Sequence, residues 1–152
     1  TMKTFRSFDD ALHYAIHSAK ECAEFYSRLS NQARNTKMKR LFSQYAREEY
    51  AQMVSLSRIR YSFAETETEG FPFSLELYDC HAANAGKEDP NYSEALVIAM
   101  RKARSSFRLF LELASKSPDE ESSNILRSLA HKEAKHRQGV EVEYNESLLI
   151  YC

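Results

Sequence analysis

The stretch HKEAKH places Glu133 and His136 three residues apart. On a helix, residues three apart share a face. A carboxylate and an imidazole so placed can grip one metal ion. Glu49 and Gln52 repeat the spacing, with an amide as the second donor. Together Glu49, Gln52, Glu133 and His136 form the candidate metal-ligating set. In the alternative reading they form a polar core: His136 donates to Glu133 or Glu49, and one carboxylate holds a proton. Glu48 points about 100° away from its neighbour Glu49 on a helix and is expected at the surface.

Helices must position these residues, and the chain offers four. Apolar residues recur at three and four over about 9–31 (Leu12, Ala15, Ile16, Ala19, Ala23, Tyr26, Leu29) and about 36–62 (Met38, Leu41, Phe42, Tyr45, Leu56). They do so again over about 91–115 (Leu96, Ala99, Met100, Ala103, Phe107, Phe110, Leu113) and about 118–146 (Ile125, Leu129, Val140). Ser7 with Asp10 and Asn91 with Glu94 have capping-box spacing. Ser117 reads as the N-cap of the fourth helix, with Pro118 at its first position and Glu120 three beyond the cap.

Two hairpins with short turns are thus joined by a long segment, about 63–90. If the second and third helices run parallel, that segment must travel the length of the bundle. It has room for a short helix near SLELYDCHAA. Such a crossover marks a ferritin-like bundle rather than an up-and-down one. The expected fold is all-α, a ferritin-like four-helix bundle in a single domain over 1–152.

The hairpins also repeat. A shift of 84 residues lays Ala11 on Ala95, Leu12 on Leu96, Ala15 on Ala99, Ala19 on Ala103 and Leu29 on Leu113. It lays Tyr26 on Phe110, Ala46 on Ala130, Glu49 on Glu133 and Gln52 on His136. One offset serves both helices of each hairpin and both polar interruptions. Pseudo-twofold symmetry then makes Glu49 and Glu133 face each other across the bundle axis. Two buried carboxylates at one level repel and are costly unless paired, protonated or bound to metal.

Composition narrows the function classes. The chain has 152 residues, 43% of them apolar, with a formal charge of −1, so nothing suggests nucleic acid as a partner. Three cysteines, Cys22, Cys80 and Cys152, with no Cys-x-x-Cys, argue against a disulfide framework, an iron–sulfur cluster or a four-cysteine zinc site. No apolar run approaches the roughly 18 residues a membrane span needs, and TMKTFRSFDD does not read as a signal peptide. The expected location is the cytoplasm.

The segments ECAEFYSRLS, LFSQYAREEYAQ, RLFLELA and LRSLAHKEAKH, taken together over about 9–146, resemble the rubrerythrin-like branch of the ferritin-like superfamily. That resemblance implies two iron or manganese ions inside the bundle. In the family each second helix of a hairpin gives Glu-x-x-His. Each first helix gives a Glu seven residues before the Tyr of an FY pair. Here Glu133 and His136 match, while the other pair reads Glu49 and Gln52. The two remaining ligand positions fall on Ala19 and Ala103, seven before Tyr26 and Phe110. Such a dimetal site wants about four carboxylates and two imidazoles. Two carboxylates and one imidazole remain, so a complete di-iron peroxidase or ferroxidase centre is not expected. One Fe, Mn or Zn ion at Glu49, Glu133 and His136, with Gln52 as a weak fourth donor, is the most the set allows; haem, nucleotide and iron–sulfur cluster are not expected. No pair of Cys-x-x-Cys motifs marks the family's rubredoxin-type domain, so redox chemistry would need a separate partner.

Three functional readings follow. One is a rubrerythrin-like protein with a degenerate metal site. Another is an oxidoreductase acting on oxygen or peroxide. The last is a metal-free interaction or scaffold module. The resemblance implies a homodimer, and Phe71, Phe73, Leu75 and Leu77 in FPFSLEL suit either a contact between copies or packing on their own bundle. His13 and His17, four apart with Glu21 beyond, read as exposed, with an outer-face zinc site as the alternative. His131 turns away from the axis. Cys80 and His81 are weak metal evidence by adjacency alone. Cys22 reads as a small buried filler, Tyr26 and Tyr45 as core aromatics near the polar centre, and Arg101, Lys102 and Arg104 as a solvated basic face.

Overall fold

The computed structural model describes residues 1–63, 69–78 and 90–151. Its helices are α1 (Phe8–Gln32), α2 (Thr36–Phe63), α3 (Tyr92–Lys116) and α4 (Glu120–Tyr151). Side chains cap all four, α1 and α3 at the spacings the sequence offers. Ser7 Oγ accepts from the Asp10 amide at 3.0 Å, and Asp10 reaches back to the Arg6 amide. Asn35 Oδ1 accepts from Met38 N at 2.9 Å. Asn91 and Glu94 form a reciprocal capping box. At α4 the cap differs from expectation. Asp119 Oδ1 accepts from Ser122 N at 2.8 Å, while Ser117 closes α3 through its own amide to the Ala114 carbonyl. Ser117 therefore ends one helix instead of starting the next, and α4 begins at Glu120.

The core divides into two apolar clusters. One gathers Phe5, Phe8, Leu12, Leu56, Ile59, Leu113, Leu126 and Leu129. The other gathers Leu29, Met38, Phe42, Tyr45, Ala95, Leu96 and Val140. Their membership fixes the helix directions. Helices α1 and α4 run from the first cluster to the second; α2 and α3 run from the second to the first. The link from α2 to α3 therefore traverses the bundle, as a ferritin-like crossover must. Each fully buried Leu or Phe contributes about 1.5–3 kcal/mol of transfer free energy, so these clusters hold the bundle together.

The described part of the crossover holds a strand over the first residues of the segment expected to carry a short helix. Met2–Phe5 (β1) and Phe73–Glu76 (β2) pair antiparallel, Met2 opposite Glu76 and Phe5 opposite Phe73. Ser74–Glu76 of the anticipated helix is thus extended, and its residues 79–83 lie outside the described part. FPFSLEL packs on its own bundle: Leu75 and Leu77 are buried in the first cluster, with Phe71 and Phe73 against it. The alternation of apolar residues from Phe71 to Leu77 is a strand's period of two, and one face of the two-stranded sheet packs on the bundle, with Phe5 against Tyr14 of α1. Among the described residues no helix is long and apolar enough to cross a membrane.

Candidate metal centre

Between the apolar clusters lies a polar layer. Glu49 and Gln52 enter it from α2, Glu133 and His136 from α4, and all four are 1% exposed. One ligand atom from each of Glu49, Glu133 and His136 lies within 4.8 Å of the others. Gln52 is equally buried; neither of its amide atoms makes a hydrogen bond of good geometry, though it stands near enough to Glu133 to oppose the rise of that carboxyl. Ala19 on α1 and Ala103 on α3 are buried, lie along their helices between residues of the two apolar clusters, and offer no donor atom.

His136 is held on three sides. Its Nε2 lies 2.6 Å from Glu48 Oε2. The Tyr45 ring stacks on it at 4.2 Å and 30°, and the Tyr26 ring meets it edge-on at 5.5 Å. Its Nδ1 has no hydrogen-bond partner and faces Glu49 Oε1 at 3.4 Å and Glu133 Oε2 at 3.8 Å. Glu48 is therefore not the exposed residue anticipated: it is half-buried and takes the outer nitrogen of the imidazole. The 100° turn is real, but it points Glu48 across to α4 instead of out to water. Of the polar-core alternative, the donation from His136 is not formed, since Nδ1 has no hydrogen-bond partner, while the retained carboxyl proton agrees with the raised Glu49 and Glu133.

Burial sets the electrostatics. It raises Glu49 to about 7, against the opposing contact with Glu133 and the Lys102 ammonium. Burial, with Glu49 alongside, pushes Glu133 well above the usual carboxylate range. Glu48 goes the other way: burial would raise it, but the hydrogen bonds from His136 and Gln44 outweigh that and lower it. Cys22, buried one turn from Ala19, is raised well above its ordinary value by burial and by Glu49, so it stays a thiol. Tyr26 is raised likewise, by burial and then by Glu133 and Glu49.

The donor set decides what could be held. Two dications would bring four positive charges to two carboxylates, one imidazole and one amide, with no carboxylate from α1 or α3. The residues do not fit a dimetal centre. One dication would be neutralised by Glu49 and Glu133 and would find the orphaned Nδ1 of His136 beside them. A single ion fits.

The remaining candidates lie elsewhere. His13 and His17 are exposed on α1, rings 5.0 Å apart, and His131 is exposed on α4. Cys80, His81 and Cys152 lie outside the described residues. Lys102 departs from the solvated basic run: it is buried, with Nζ 3.9 Å from Glu21. A buried carboxylate paired with an exposed arginine, absent from the sequence reading, ties the far end of the bundle. Glu143 on α4 accepts two hydrogen bonds from Arg34 and one from the Tyr92 hydroxyl. The three positions are scattered over 109 residues with no local motif, so spacing could not have found them.

Residues 10–143 match the family model described as Rubrerythrin. A search among curated proteins finds no match. The fold is shared with the crystal structure of a protein from Thermotoga maritima assigned to the ferritin-like diiron-carboxylate group. The two align with a TM-score of 0.77 at 20% identity, over 94% of this chain and 97% of that one.

Proposed function

This chain belongs to the rubrerythrin family, and from that premise we propose that its bundle holds a single transition-metal ion in place of the family's pair. Glu49, Glu133 and His136 Nδ1 are the ligands, Gln52 is a weak fourth, and water completes the shell. One observation carries the reading. Among the described residues, the buried side-chain atoms that make no hydrogen bond are Glu49 Oε1, both amide atoms of Gln52, both oxygens of Glu133 and Nδ1 of His136. All of them belong to the candidate set and crowd one layer. A buried unpaired polar group costs about 1–3 kcal/mol, more when charged. A dication would satisfy several of these atoms at once and relieve the repulsion between two carboxylates.

Iron or manganese there would supply one-electron redox chemistry, and zinc would supply Lewis acidity. The chain's own part is to fix the imidazole, to keep two carboxylates convergent, and to exclude bulk water from a layer whose ligands are 1% exposed.

Plasma mass spectrometry of untagged protein, wild type against Glu133→Ala, tests the reading. Near one ion per chain, lost in the variant, supports it. Near two ions would overturn it and revive dimetal chemistry. Folded protein that stays metal-free after iron, manganese and zinc are offered would also overturn it, and would place function on the surface of the bundle.

A further inference from the structure

Gly139 lies one turn beyond His136 on α4, half-buried inside a long helix. Glycine in a helix interior is destabilising by about 1 kcal/mol relative to alanine, so its place there needs a reason. The surroundings supply one. A Cβ built on Gly139 would come within 2.1 Å of the Tyr45 hydroxyl oxygen and 3.2 Å of the carbon that bears it. Tyr45 can keep its position only because residue 139 has no side chain. That position lays its ring on the His136 imidazole at 4.2 Å and 30°, the closest ring contact that imidazole makes.

We propose that Tyr45 is a positioning residue for the metal-facing edge of His136, and that Gly139 is the residue that admits it. Glu48 fixes the ring at Nε2 but leaves it free to rotate about that hydrogen bond. A flat contact on the ring face removes the remaining freedom, so that Nδ1 stays aimed at Glu49 and Glu133. Preorganised ligands lose less entropy on binding, and the packing that locks them is part of the site.

The internal repeat supplies an independent observation. The shift of 84 residues lays Tyr45 on Leu129, Gly139 on Ser55 and Glu48 on Lys132. Those are the counterparts around Gln52, which stands where the other half has His136. The imidazole is met by a stacking ring and a carboxylate acceptor from the opposite hairpin and by a glycine one turn along its own helix. The symmetry-related positions around the amide hold none of the three. The ring, the glycine and the acceptor accordingly act as one device serving an imidazole.

The inference rests on the single-ion reading, so its test has one arm with metal and one without. Cobalt(II) is the probe, because its visible absorption reports ligand geometry. Gly139→Ala and Tyr45→Ala are each expected to weaken cobalt binding at least tenfold and to alter that absorption. The conservative Tyr45→Phe, which restores the ring, is expected to rescue the affinity that Tyr45→Ala loses. Gly139→Ala with Tyr45→Ala is expected to be no weaker than Tyr45→Ala alone, since both act through one ring. A surface groove of about 330 Å3 lined by Met38, Leu41, Gly139 and Val142 gives a displaced Tyr45 ring somewhere to go, so Gly139→Ala need not unfold the bundle. In metal-free protein, proton NMR of the His136 ring should show ring-current shielding that both Gly139→Ala and Tyr45→Ala remove. Wild-type affinity in Gly139→Ala and Tyr45→Ala would overturn the proposal. If wild-type protein takes up no cobalt, the single-ion reading fails by itself, and the metal-free spectra decide: shielding lost in Gly139→Ala supports the positioning, and shielding absent from wild type overturns it.

Discussion

Nε2 of His136 lies 2.6 Å from Glu48 Oε2, a bond that crosses from one helical hairpin to the other. A neutral imidazole carries its proton on one nitrogen and a lone pair on the other. With Glu48 accepting at Nε2, the lone pair falls on Nδ1, the nitrogen that faces Glu49 and Glu133. The outer carboxylate thus selects the tautomer that can bind a cation. It also gives the imidazole more donor strength, as carboxylate partners of metal-binding histidines generally do.

Removing that acceptor should weaken the site without changing its capacity. Glu48→Ala is expected to lower Fe(II) or Mn(II) affinity about 10–100-fold, the range typical for losing such an outer partner. Competition against a chromophoric chelator measures it, with stoichiometry at saturation still near one. Unchanged affinity would mean that stacking alone holds the ring.

Helices were legible because their signal is local. Leu12, Ala15, Ala19 and Tyr26 announce α1 by period alone, and Asn91 with Glu94 marks the start of α3 by spacing alone. Glu49, Glu133 and His136 were legible because charged residues interrupt an apolar stripe. Glu48 was not, since a one-residue offset says which way a side chain leaves its helix and not what stands there. The strand Phe73–Glu76 had its signal in the alternation of Phe71, Phe73, Leu75 and Leu77. MKTF, its partner, carries no comparable pattern, and pairing across 70 residues is not written in either segment. Gly139 and Tyr45 are likewise a relation between two helices, invisible until the helices pack.

The Tyr92–Glu143 contact should matter to stability and not to metal. Glu143 has no exposed side-chain surface, and Arg34 supplies the compensating charge from the turn between α1 and α2. Tyr92 adds a hydrogen bond to this buried, arginine-paired acceptor, worth about 1.5–3 kcal/mol. Tyr92→Phe is therefore expected to lower the calorimetric Tm by roughly 5 °C for a chain of this size. Metal stoichiometry should stay at the wild-type value. A Tm within 1 °C of wild type would show the hydroxyl bond to be energetically idle.

Restoring the missing donors should raise capacity. Ala19→Glu with Ala103→Glu and Gln52→His would bring the layer to four carboxylates and two imidazoles, the set a ferritin-like dimetal site uses. The expected iron content is about two ions per chain. Without metal the triple variant should melt lower than wild type, because it buries two more carboxyl groups with no partner assigned. Iron should recover that loss. A triple variant that folds and still takes one ion would show that the alanine positions no longer converge on the layer.

Metal-free protein should lose stability as pH rises through neutrality. Glu49 is raised from 4.5 to about 7 in the folded state. Below about 4.5 the group is neutral in both folded and unfolded chains, and its contribution is fully present. Between the two values the unfolded chain ionises while the folded one holds its proton, so stability falls as pH rises. Above about 7 both states are ionised and the contribution is gone. At about 1.4 kcal/mol per unit, the effect is on the order of 3 kcal/mol. Glu133, raised further by burial and by Glu49, acts in the same direction. Thermal melts of chelator-treated protein between pH 5 and pH 8, wild type against Glu49→Gln, isolate the effect. Wild type should fall the more steeply of the two, and parallel curves would show that Glu49 does not titrate in this range. Adding one equivalent of metal should reverse the slope, because the ion binds the ionised carboxylates and competes with protons for them.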